Sequence, residues 1–597
     1  MSDLPAHSLL RKDWLWLVAV WLLAAATLVW RSHFASAGAP LFLDTDDAMR
    51  MVVVRDFLNG QGWYDLVQHR LNAPFGAEIH WSRLIDLPLA GLLFLFDRVT
   101  DPASALMLTG TIWPLLLLGV LLWLSVRVTF ELVGRAGLLP ALVLPILSPA
   151  ILAEFTPGRV DHHNVIILLT LACLLTSLTA LRRPGAAWLA GLFAASALAV
   201  ALEAAPLVVA AILAFGIGYV IDPARATILR RFGLGLAGGL VVHLALARPP
   251  TRWLEAACDM ISPVYVLAGL LVGLAYLAVS LLPAPRRAVL RLALLGVLGA
   301  LAAAVVALVY PQCLAGPYGS LDPWLQENWI AAIVEAKPWH VSLVELPVYS
   351  IVVGAPVFLG LLAAGLALLR DRERRMSWLT LLVFLGCATL VMLAQVRGAR
   401  LAILPTIPAA SWLIVVAREA YLERKTLMPA LGLIGAWLVF SGVILSVLVN
   451  LTLNVLPDGR AQQVSEARAS KLPCLAPDSF ADLAGLSPER VMAPIDLGSH
   501  LLLETPHAVV AAPYHRNEDG VLDAFRFFNR PVADARAIAE ARGLGLVVTC
   551  PEMPEMRGPG LKEPDTILSL LAAGTPPDWL EDVSLSGPLK VYAVKLP

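Results

Sequence analysis

The sequence predicts an α-helical polytopic membrane protein that carries a small soluble α/β domain at its C-terminal end. Three observations lead to this fold class. Of the 597 residues, 58% are hydrophobic and only 15% are charged, and the mean hydropathy of +0.76 lies far above that of soluble proteins. Apolar runs long enough to cross a bilayer recur through residues 1–449. The last 148 residues differ, because they mix polar and apolar residues with Pro and Gly breaks.

The apolar runs predict about thirteen transmembrane helices. The first run, from Trp14 to Trp30, is long enough to span and lacks a small-residue cleavage site, so we interpret it as a membrane helix and not as a signal peptide. The predicted spans cover residues 14–30, 103–126, 138–154, 164–181, 186–202, 205–221, 233–247, 264–282, 290–310, 346–369, 377–394, 401–417 and 427–449.

Basic residues predict the orientation of these helices. They collect in short loops on one side, as Arg11 and Lys12, Arg127 and Arg135, Arg182 and Arg183, Arg225, Arg230 and Arg231, Arg286, Arg287 and Arg291, the RDRERR run from Arg370, and Arg418, Arg424 and Lys425. By the positive-inside rule this side is cytoplasmic. The N-terminus is then inside, and with an odd number of spans residues 450–597 form a domain on the outer side of the membrane.

Two long loops, residues 31–102 and 311–345, face the same outer side, and long loops in a compact helical bundle are usually functional. Within the first loop, RLIDLPLAGLLFLF is too short and too amphipathic to span, and we expect it to lie in the membrane interface. An exported domain meets an oxidising compartment, which permits a disulfide between its two cysteines, Cys474 and Cys550. The other four cysteines show no metal-ligand spacing.

Four polar features fall on the predicted outer face. They are the acidic DTDD of residues 44–47, GRVDHHN of residues 158–164, AAIVEAKPWH of residues 331–340 and QVRGAR of residues 395–400. Each feature alone is compatible with a solvated loop or with arginine side chains that reach lipid phosphates. Together they concentrate carboxylate, imidazole and guanidinium groups at one face of the bundle.

Hard divalent cations prefer carboxylate oxygens, and Mn²⁺ accepts imidazole better than Mg²⁺ does. The predicted metal ligands are Asp47 (or its neighbour Asp46), Asp161, His163 and Glu335, and the predicted cofactor is Mn²⁺ or Mg²⁺. Arg400 or Arg397 would hold a phosphate oxygen by charge-assisted hydrogen bonds. A lipid-linked sugar phosphate suits both groups, because its polyprenyl tail would lie among the helices while its head group reaches the cation.

This layout resembles the catalytic subunits of oligosaccharyltransferases, which are membrane glycosyltransferases of the GT-C class. In that family a catalytic Asp in the first outer loop is followed by an aromatic GFY-like sequence and a YPxG-like turn. Here GWY (residues 62–64) and APFG (residues 73–76) follow the DTDD cluster. An ungapped match favours Asp47 as the catalytic Asp, while Asp46 lies one residue away and Asp44 stays possible.

Two further motifs support the resemblance, each with a departure. The family's Asp-x-Asp or Asp-x-Glu motif matches residues 161–163, although here its second carboxylate has become His163. Its Ser/Thr-x-x-Glu element matches AIVE, which keeps Glu335 without the hydroxyl residue. The family's arginine near the start of a late helix, which contacts the lipid diphosphate, corresponds to Arg400 or Arg397. The resemblance implies that the loop before Glu335 closes over the bound substrates.

The acceptor side departs further from the family. The WWDYG motif, which in the family reads the hydroxyl residue of the Asn-x-Ser/Thr sequon, is replaced by MAPIDLGSHLL, which keeps only Asp496 and Gly498 as predicted acceptor-binding residues. The following AAPYHRN is only weakly similar to the family's next segment. We therefore expect an acceptor other than the ordinary sequon, either a protein, a lipid or a glycan.

The resemblance implies transfer of a sugar or oligosaccharide from a polyprenyl phosphate or diphosphate to this acceptor, with inversion at the anomeric carbon. Asp47 or Asp46 would orient or deprotonate the acceptor, and Glu335 would complete the catalytic set. GWYD and HWSRLID are similar to proteobacterial sequences, which implies a bacterial inner membrane and a periplasmic domain. We expect no nucleic-acid partner.

Two other functions remain open. A monosaccharide transferase that uses a polyprenyl monophosphate would share the first-loop Asp, although such enzymes usually have fewer spans. A transporter or flippase for lipid-linked glycans should carry ionisable residues along a path through the membrane. The candidates for such a path, Glu203 and His243, sit near predicted span ends. Convergence of Asp47, Asp161 and Glu335 in the folded protein would favour an enzyme.

Overall fold

A computed structural model describes residues 9–35, 39–453, 470–585 and 587–596 of the chain. The membrane region contains helices α1 to α19, namely Arg11–Trp30, Thr45–Leu58, Arg83–Asp97, Pro102–Leu132, Leu138–Ile146, Pro149–Leu152, His163–Ala180, Ala186–Val200, Ala205–Ile221, Ala226–Ala247, Pro263–Leu281, Ala288–Val309, Pro323–Asn328, Trp339–Glu345, Pro347–Arg370, Arg375–Ala394, Ala399–Arg424, Leu427–Phe440 and Gly442–Leu453. Strands β1 (Val67–Gln68) and β2 (Ala77–Glu78) form an antiparallel hairpin in the first long loop.

Every predicted span falls on apolar helix, which confirms the fold class. In the described part of the chain ten helices are long and apolar enough to cross a membrane, or twelve if each of two bent pairs is one span. The remaining predicted span, residues 186–202, is the shorter helix α8. Its 15 residues are roughly 22 Å long at 1.5 Å per residue, less than the bilayer's hydrocarbon core of about 30 Å.

Small residues explain how α8 is held in the bundle. It packs against α7 and α10, and Gly191 of α8 lies against the backbone of Phe232 and Leu236 of α10. On α10, Gly235 and Gly239 in turn face Trp188 and Ala195 of α8. Glycines four residues apart let two helix backbones approach closely, which is a common packing mode in membranes.

The two bent pairs meet each other. Residues Arg135–Ile146 and Pro149–Phe155 are bent by 65°, where Pro149 cannot continue the hydrogen bonds of the preceding helix, and α18 and α19 are bent by 92° at Ser441. The backbone N–H of Val443 donates to the carbonyl of Leu147 at 2.8 Å, so the two breaks satisfy each other. The hydropathy pattern predicts a continuous last span but not this right-angled break.

The C-terminal region folds as a small α/β domain, as predicted. Its mixed five-stranded sheet has the order β4-β3-β5-β7-β6, with β3 parallel to both β4 and β5, and β7 antiparallel to both β5 and β6. The strands β3 to β7 are Arg490–Met492, Ala508–Val509, Leu546–Thr549, Leu580–Asp582 and Lys590–Val594. Helices α20 to α25 are Leu472–Leu475, Ala481–Ala484, Ile495–Glu504, Glu518–Asn529, Val532–Arg542 and Ile567–Ala572. The predicted boundary at residue 450 falls within α19, and residues 454–469 lie outside the described residues.

The first long loop is folded and joins the two regions. Its helix α2 packs against α22 of the soluble domain, and Arg70 donates hydrogen bonds to three carbonyls at the end of α22. The backbone of the β1–β2 hairpin also bonds Val509 of strand β4. The soluble domain is therefore docked on the loop that carries the DTDD cluster.

Two disulfides tie the outer loops and the soluble domain. Cys474 and Cys550, whose pairing the sequence permits but does not decide, are joined by a disulfide in the soluble domain. A second bond joins Cys258, between α10 and α11, to Cys313, which follows α12. The sequence does not predict this pair, because the spacing of cysteines along the chain does not show that the two loops meet.

Candidate active site

A cavity of about 600 Å³ opens where the two long loops, the helix ends and the soluble domain meet. Residues from each of the four polar features line it, and they are joined by residues of the second long loop and of the soluble domain. The polar lining includes Asp46, His80, His162, His163, Glu203, Asp259, Tyr318, Glu335, Arg397, Arg400, Tyr514 and His515. The residues that the arginine counts place on one side therefore converge in space.

The GRVDHHN segment is fixed in a tight turn at this cavity. Gly158 has a φ of +94° and its N–H donates to the carbonyl of Gly110 at 2.8 Å, and a side chain here would overlap a neighbouring carbonyl. The Asp47 carboxylate accepts the backbone N–H groups of Val160 and Asp161 at 2.8 and 2.9 Å. These contacts hold Asp161 and the following two histidines at the start of α7.

Asp46 and Asp47 have different surroundings, although they are adjacent at the start of α2. Asp47 is 1% exposed, and one of its oxygens accepts a hydrogen bond from Arg159 at 2.7 Å. Asp46 instead lines the cavity. Burial raises the pKa of Asp46 well above its usual range, and the nearby carboxylates of Asp161 and Asp44 raise it further. Asp46 is thus the carboxylate of this pair that a ligand in the cavity could reach.

A candidate metal site lies at the predicted motif. One ligand atom each from Asp161, His162 and His163 lies within 4.8 Å of the other two. One oxygen of Asp161 accepts hydrogen bonds from His162 at 2.5 Å and Arg50 at 3.3 Å. Its other oxygen is buried, has no hydrogen-bond partner and lies 3.5 Å from the His163 Nε2. A buried carboxylate oxygen without a partner beside an imidazole fits a bound cation.

The other predicted residues form ion pairs around the same cavity. Arg400 binds Glu335 at 2.8 Å and Glu154 at 3.3 Å. Arg397 lies 3.4 Å from Glu203, which lies 3.3 Å from His163 on its other side. Glu335 therefore lines the cavity as a partner of Arg400, and it does not belong to the group of close ligand atoms around Asp161.

An apolar cleft continues from the cavity into the bundle. It lies between helices α7, α9, α16 and α17, and Pro206, Val391 and Leu401 line both the cleft and the cavity. Leu401 follows Arg400 directly on α17. The cleft has a volume of only about 20 Å³, so it marks an apolar contact beside the two arginines and would have to widen to admit a chain of apolar carbons.

The predicted acceptor-binding residues lie outside the cavity lining. Gly498 packs against the backbone of Ala511, so that a side chain would overlap a carbonyl, and Asp496 pairs with Lys471 at 3.5 Å. Acceptor binding by Asp496 or Gly498 stays a prediction. The soluble domain instead presents Tyr514 and His515 to the cavity, from the AAPYHRN segment.

Two arginines of the site, Arg159 and Arg50, were not predicted from the sequence. Arg159 lies inside the quoted GRVDHHN motif and contacts Asp44, Asp47 and Glu154. The available signal was its place in the motif, because a basic residue two positions before a predicted metal ligand is a candidate counter-ion. Arg50, fully buried between Asp86 and Asp161, gives no such signal, because its partners are distant in sequence.

The sequence matches no protein-family model, and no functionally described protein sequence resembles it significantly. Solved structures do resemble it. The archaeal oligosaccharyltransferase AglB from Archaeoglobus fulgidus, solved with an inhibitory peptide and a dolichol-phosphate, matches with a TM-score of 0.67 and 16% identity, over 98% of this chain and 75% of that chain.

Two other structures of the Archaeoglobus fulgidus oligosaccharyltransferase also match. One is tethered to an acceptor peptide that contains the NVT sequon (TM-score 0.60, 16% identity, 90% of this chain and 69% of that chain). The other is a complex with Zn and sulfate (TM-score 0.55, 15% identity, 96% of this chain and 73% of that chain). This chain has the fold of the GT-C class of membrane glycosyltransferases. Within that class it resembles the archaeal oligosaccharyltransferase, as the sequence motifs predict.

Proposed function

We propose that this protein is a membrane glycosyltransferase that transfers a sugar or oligosaccharide from a polyprenyl phosphate or diphosphate to an acceptor on the periplasmic side of a bacterial inner membrane. The observation that carries the proposal is the single cavity in which a carboxylate–imidazole cluster meets two arginines at the mouth of an apolar cleft. The AglB structure, which contains a dolichol-phosphate, supports a lipid-linked donor.

The two arginines and the cleft suit the two parts of such a donor. Guanidinium groups bind phosphate oxygens through charge-assisted hydrogen bonds, and Arg397 and Arg400 both line the cavity. In this structure Arg397 forms an ion pair with Glu203, and Arg400 forms one with Glu335. Glu335 is half exposed, so a phosphate can displace it from Arg400 at little cost in desolvation. The first carbons of the polyprenyl chain would then lie against the apolar residues at the mouth of the cleft, beside Leu401.

Asp161, His162 and His163 would hold a divalent cation, with Asp46 as a further ligand. Two imidazoles among these donors favour Mn²⁺ over Mg²⁺, and the Zn-bound structure of the related protein supports a metal site in this fold. When bound, the cation would stabilise negative charge on the leaving phosphate. The arginines share that task, and Asp46 would accept a proton from the acceptor or orient it.

The acceptor is a protein, a lipid or a glycan. The related structure with a tethered sequon peptide supports a peptide acceptor, but the tryptophans and tyrosine of the sequon-reading motif are missing from residues 492–502. Tyr514 would contact the acceptor instead, because the soluble domain presents its side chain to the cavity.

The geometry favours transfer over transport. A transport path needs ionisable residues at successive depths in the membrane. Of the two candidates for such a path, Glu203 belongs to the cavity wall, where it pairs with His163 and Arg397, and His243 is hydrogen-bonded to Ser196 at 2.9 Å. Glu203 therefore belongs with the charged groups of the cavity and does not mark a path through the membrane.

A transfer assay on the purified protein tests the proposal. A labelled polyprenyl-linked glycan is supplied with a peptide, lipid or glycan acceptor, with and without EDTA, to wild type and to the Asp46→Asn and Asp161→Asn variants. Transfer should require a divalent cation and fall about 100-fold or more in both variants. Asp97→Asn, an exposed change in the same loop, is the matched control and should keep full activity. Transfer that survives EDTA and both substitutions would remove the mechanism.

A further inference from the structure

A second cluster of metal-ligating side chains lies at the cavity, and it shares no residue with the Asp161 cluster. His80 comes from the first long loop, Asp259 from the segment between α10 and α11, and His515 from the soluble domain. One ligand atom from each residue lies within 4.8 Å of the other two. The His515 Nε2 is 2.7 Å from an Asp259 oxygen, and the His80 and His515 ring centroids are 4.7 Å apart.

We propose that His80, Asp259 and His515 form a second divalent-cation site, which takes Zn²⁺ and fastens the soluble domain to the membrane domain. Two imidazoles and one carboxylate are a frequent zinc ligand set that leaves a fourth position open. Zinc bonds of about 2.1 Å place tetrahedral ligand atoms roughly 3.3 Å apart. Side-chain movements of about an ångström or two would bring the three ligand atoms to that spacing.

The surroundings hold the carboxylate in place. Arg516 donates to both oxygens of Asp259 at 2.6 and 2.8 Å, and the same guanidinium also contacts Glu78. Partners of this kind orient metal-binding carboxylates and imidazoles. Asp259 also directly follows Cys258, whose disulfide to Cys313 anchors that loop.

The two imidazoles are also positioned for binding. The edge of the Tyr318 ring packs against the His515 ring, with centroids 5.2 Å apart. Among the described residues, none forms a hydrogen bond with the His80 ring, so its nitrogens remain available to a cation. The three donors come from segments more than 170 residues apart along the chain. A cation bound to all three would resist separation of the soluble domain from the membrane helices.

Counting bound zinc tests this site separately from the catalytic one. The full-length protein is purified in detergent, stripped with a chelator, dialysed against Zn²⁺ and analysed for metal content. Wild type should bind about two equivalents, and the His80→Gln and His515→Gln variants about one each. Asp161→Asn should also bind about one equivalent, because it loses the zinc of the Asp161 cluster and keeps the zinc of the second site. If the proposed catalytic metal site fails, Asp161→Asn will match wild type while the histidine variants still lose their zinc.

Glu78→Gln is the control for loosened contact between the domains. It removes a carboxylate that binds Arg516 and Arg252 but takes away none of the three ligands. Glu78→Gln should keep the wild-type zinc content, and added Zn²⁺ should raise its melting temperature as much as it raises that of wild type. In His515→Gln, added Zn²⁺ should raise the melting temperature less, because the second site is lost. Unchanged zinc content in both histidine variants would overturn the site. Equal loss in Glu78→Gln would also overturn it, because the domain contact would then control zinc content.

Discussion

The two adjacent aspartates at the start of α2 should respond to the same substitution in opposite ways. Asp47 accepts two backbone hydrogen bonds and one from Arg159, and it is 1% exposed. In Asp47→Asn the amide oxygen can keep the two backbone bonds, but the amide NH₂ then faces the Arg159 guanidinium, so two donors meet. Burial raises the pKa of both carboxylates, that of Asp47 to about 7. The difference between them is in hydrogen bonding, because among the described residues the Asp46 carboxylate accepts no hydrogen bond.

The structure sets the size of the effect. Asp47→Asn removes one charge-assisted hydrogen bond, which contributes about 1.5 to 3 kcal/mol. Arg159 keeps its contacts with Asp44 and Glu154, so the larger cost of an uncompensated buried charge, about 3 to 5 kcal/mol, should not apply. Asp46→Asn should leave the free energy of unfolding unchanged or raise it slightly at pH 8, because a carboxylate that is costly to bury becomes a neutral amide.

Denaturant unfolding in detergent, followed by tryptophan fluorescence at pH 8, measures both variants against wild type. Asp97→Asn, which changes an exposed carboxylate of the same loop, serves as the reference for a surface substitution. The transfer assay on the same preparations should show that Asp46→Asn is folded but inactive. An Asp46→Asn protein that loses as much stability as Asp47→Asn, or an Asp47→Asn protein as stable as wild type, would refute this assignment of roles.

Three further substitutions test other parts of the structure. Burial raises the pKa of Glu555 to about 7 from 4.5. The protonated carboxyl therefore stabilises the folded protein fully below pH 4.5, and this contribution is lost as the pH rises through 7. In thermal melts Glu555→Gln should match wild type at pH 4 and should be more stable than wild type by roughly 3 kcal/mol at pH 8. Gly158→Ala should cost about 2 kcal/mol or more, since it strains a positive φ and overlaps a carbonyl, whereas Gly91→Ala, which faces open space, should cost nothing in the same melts. Replacing Cys258 and Cys313 by Ser opens a 55-residue loop and should lower stability by roughly 4 kcal/mol; a melting temperature that stays unchanged on reduction of the wild type would contradict this.

The sequence by itself determined the fold class and the side on which the polar residues collect. Whether a segment enters the bilayer depends on its own transfer from water to lipid, so an apolar run such as Ala288–Val309 is readable without its neighbours. The Lys and Arg content of each short loop likewise acts locally, and it sets which helix ends lie on the same side of the membrane. These local rules were enough to place DTDD, GRVDHHN and QVRGAR on one face of the bundle, and the resemblance to oligosaccharyltransferases drew on the same motifs.

Only the tertiary structure decided which of these groups face one another. The sequence motif favours Asp47 over its neighbour Asp46, but the direction of each side chain follows from how α2 packs against α22 and the GRVDHHN turn, and it is Asp46 that lines the cavity. The disulfide between Cys258 and Cys313, and the meeting of His80 with His515, likewise join segments that come together only when the bundle closes. Contacts between residues hundreds of positions apart depend on the packing of every helix between them, and that packing is a property of the whole chain.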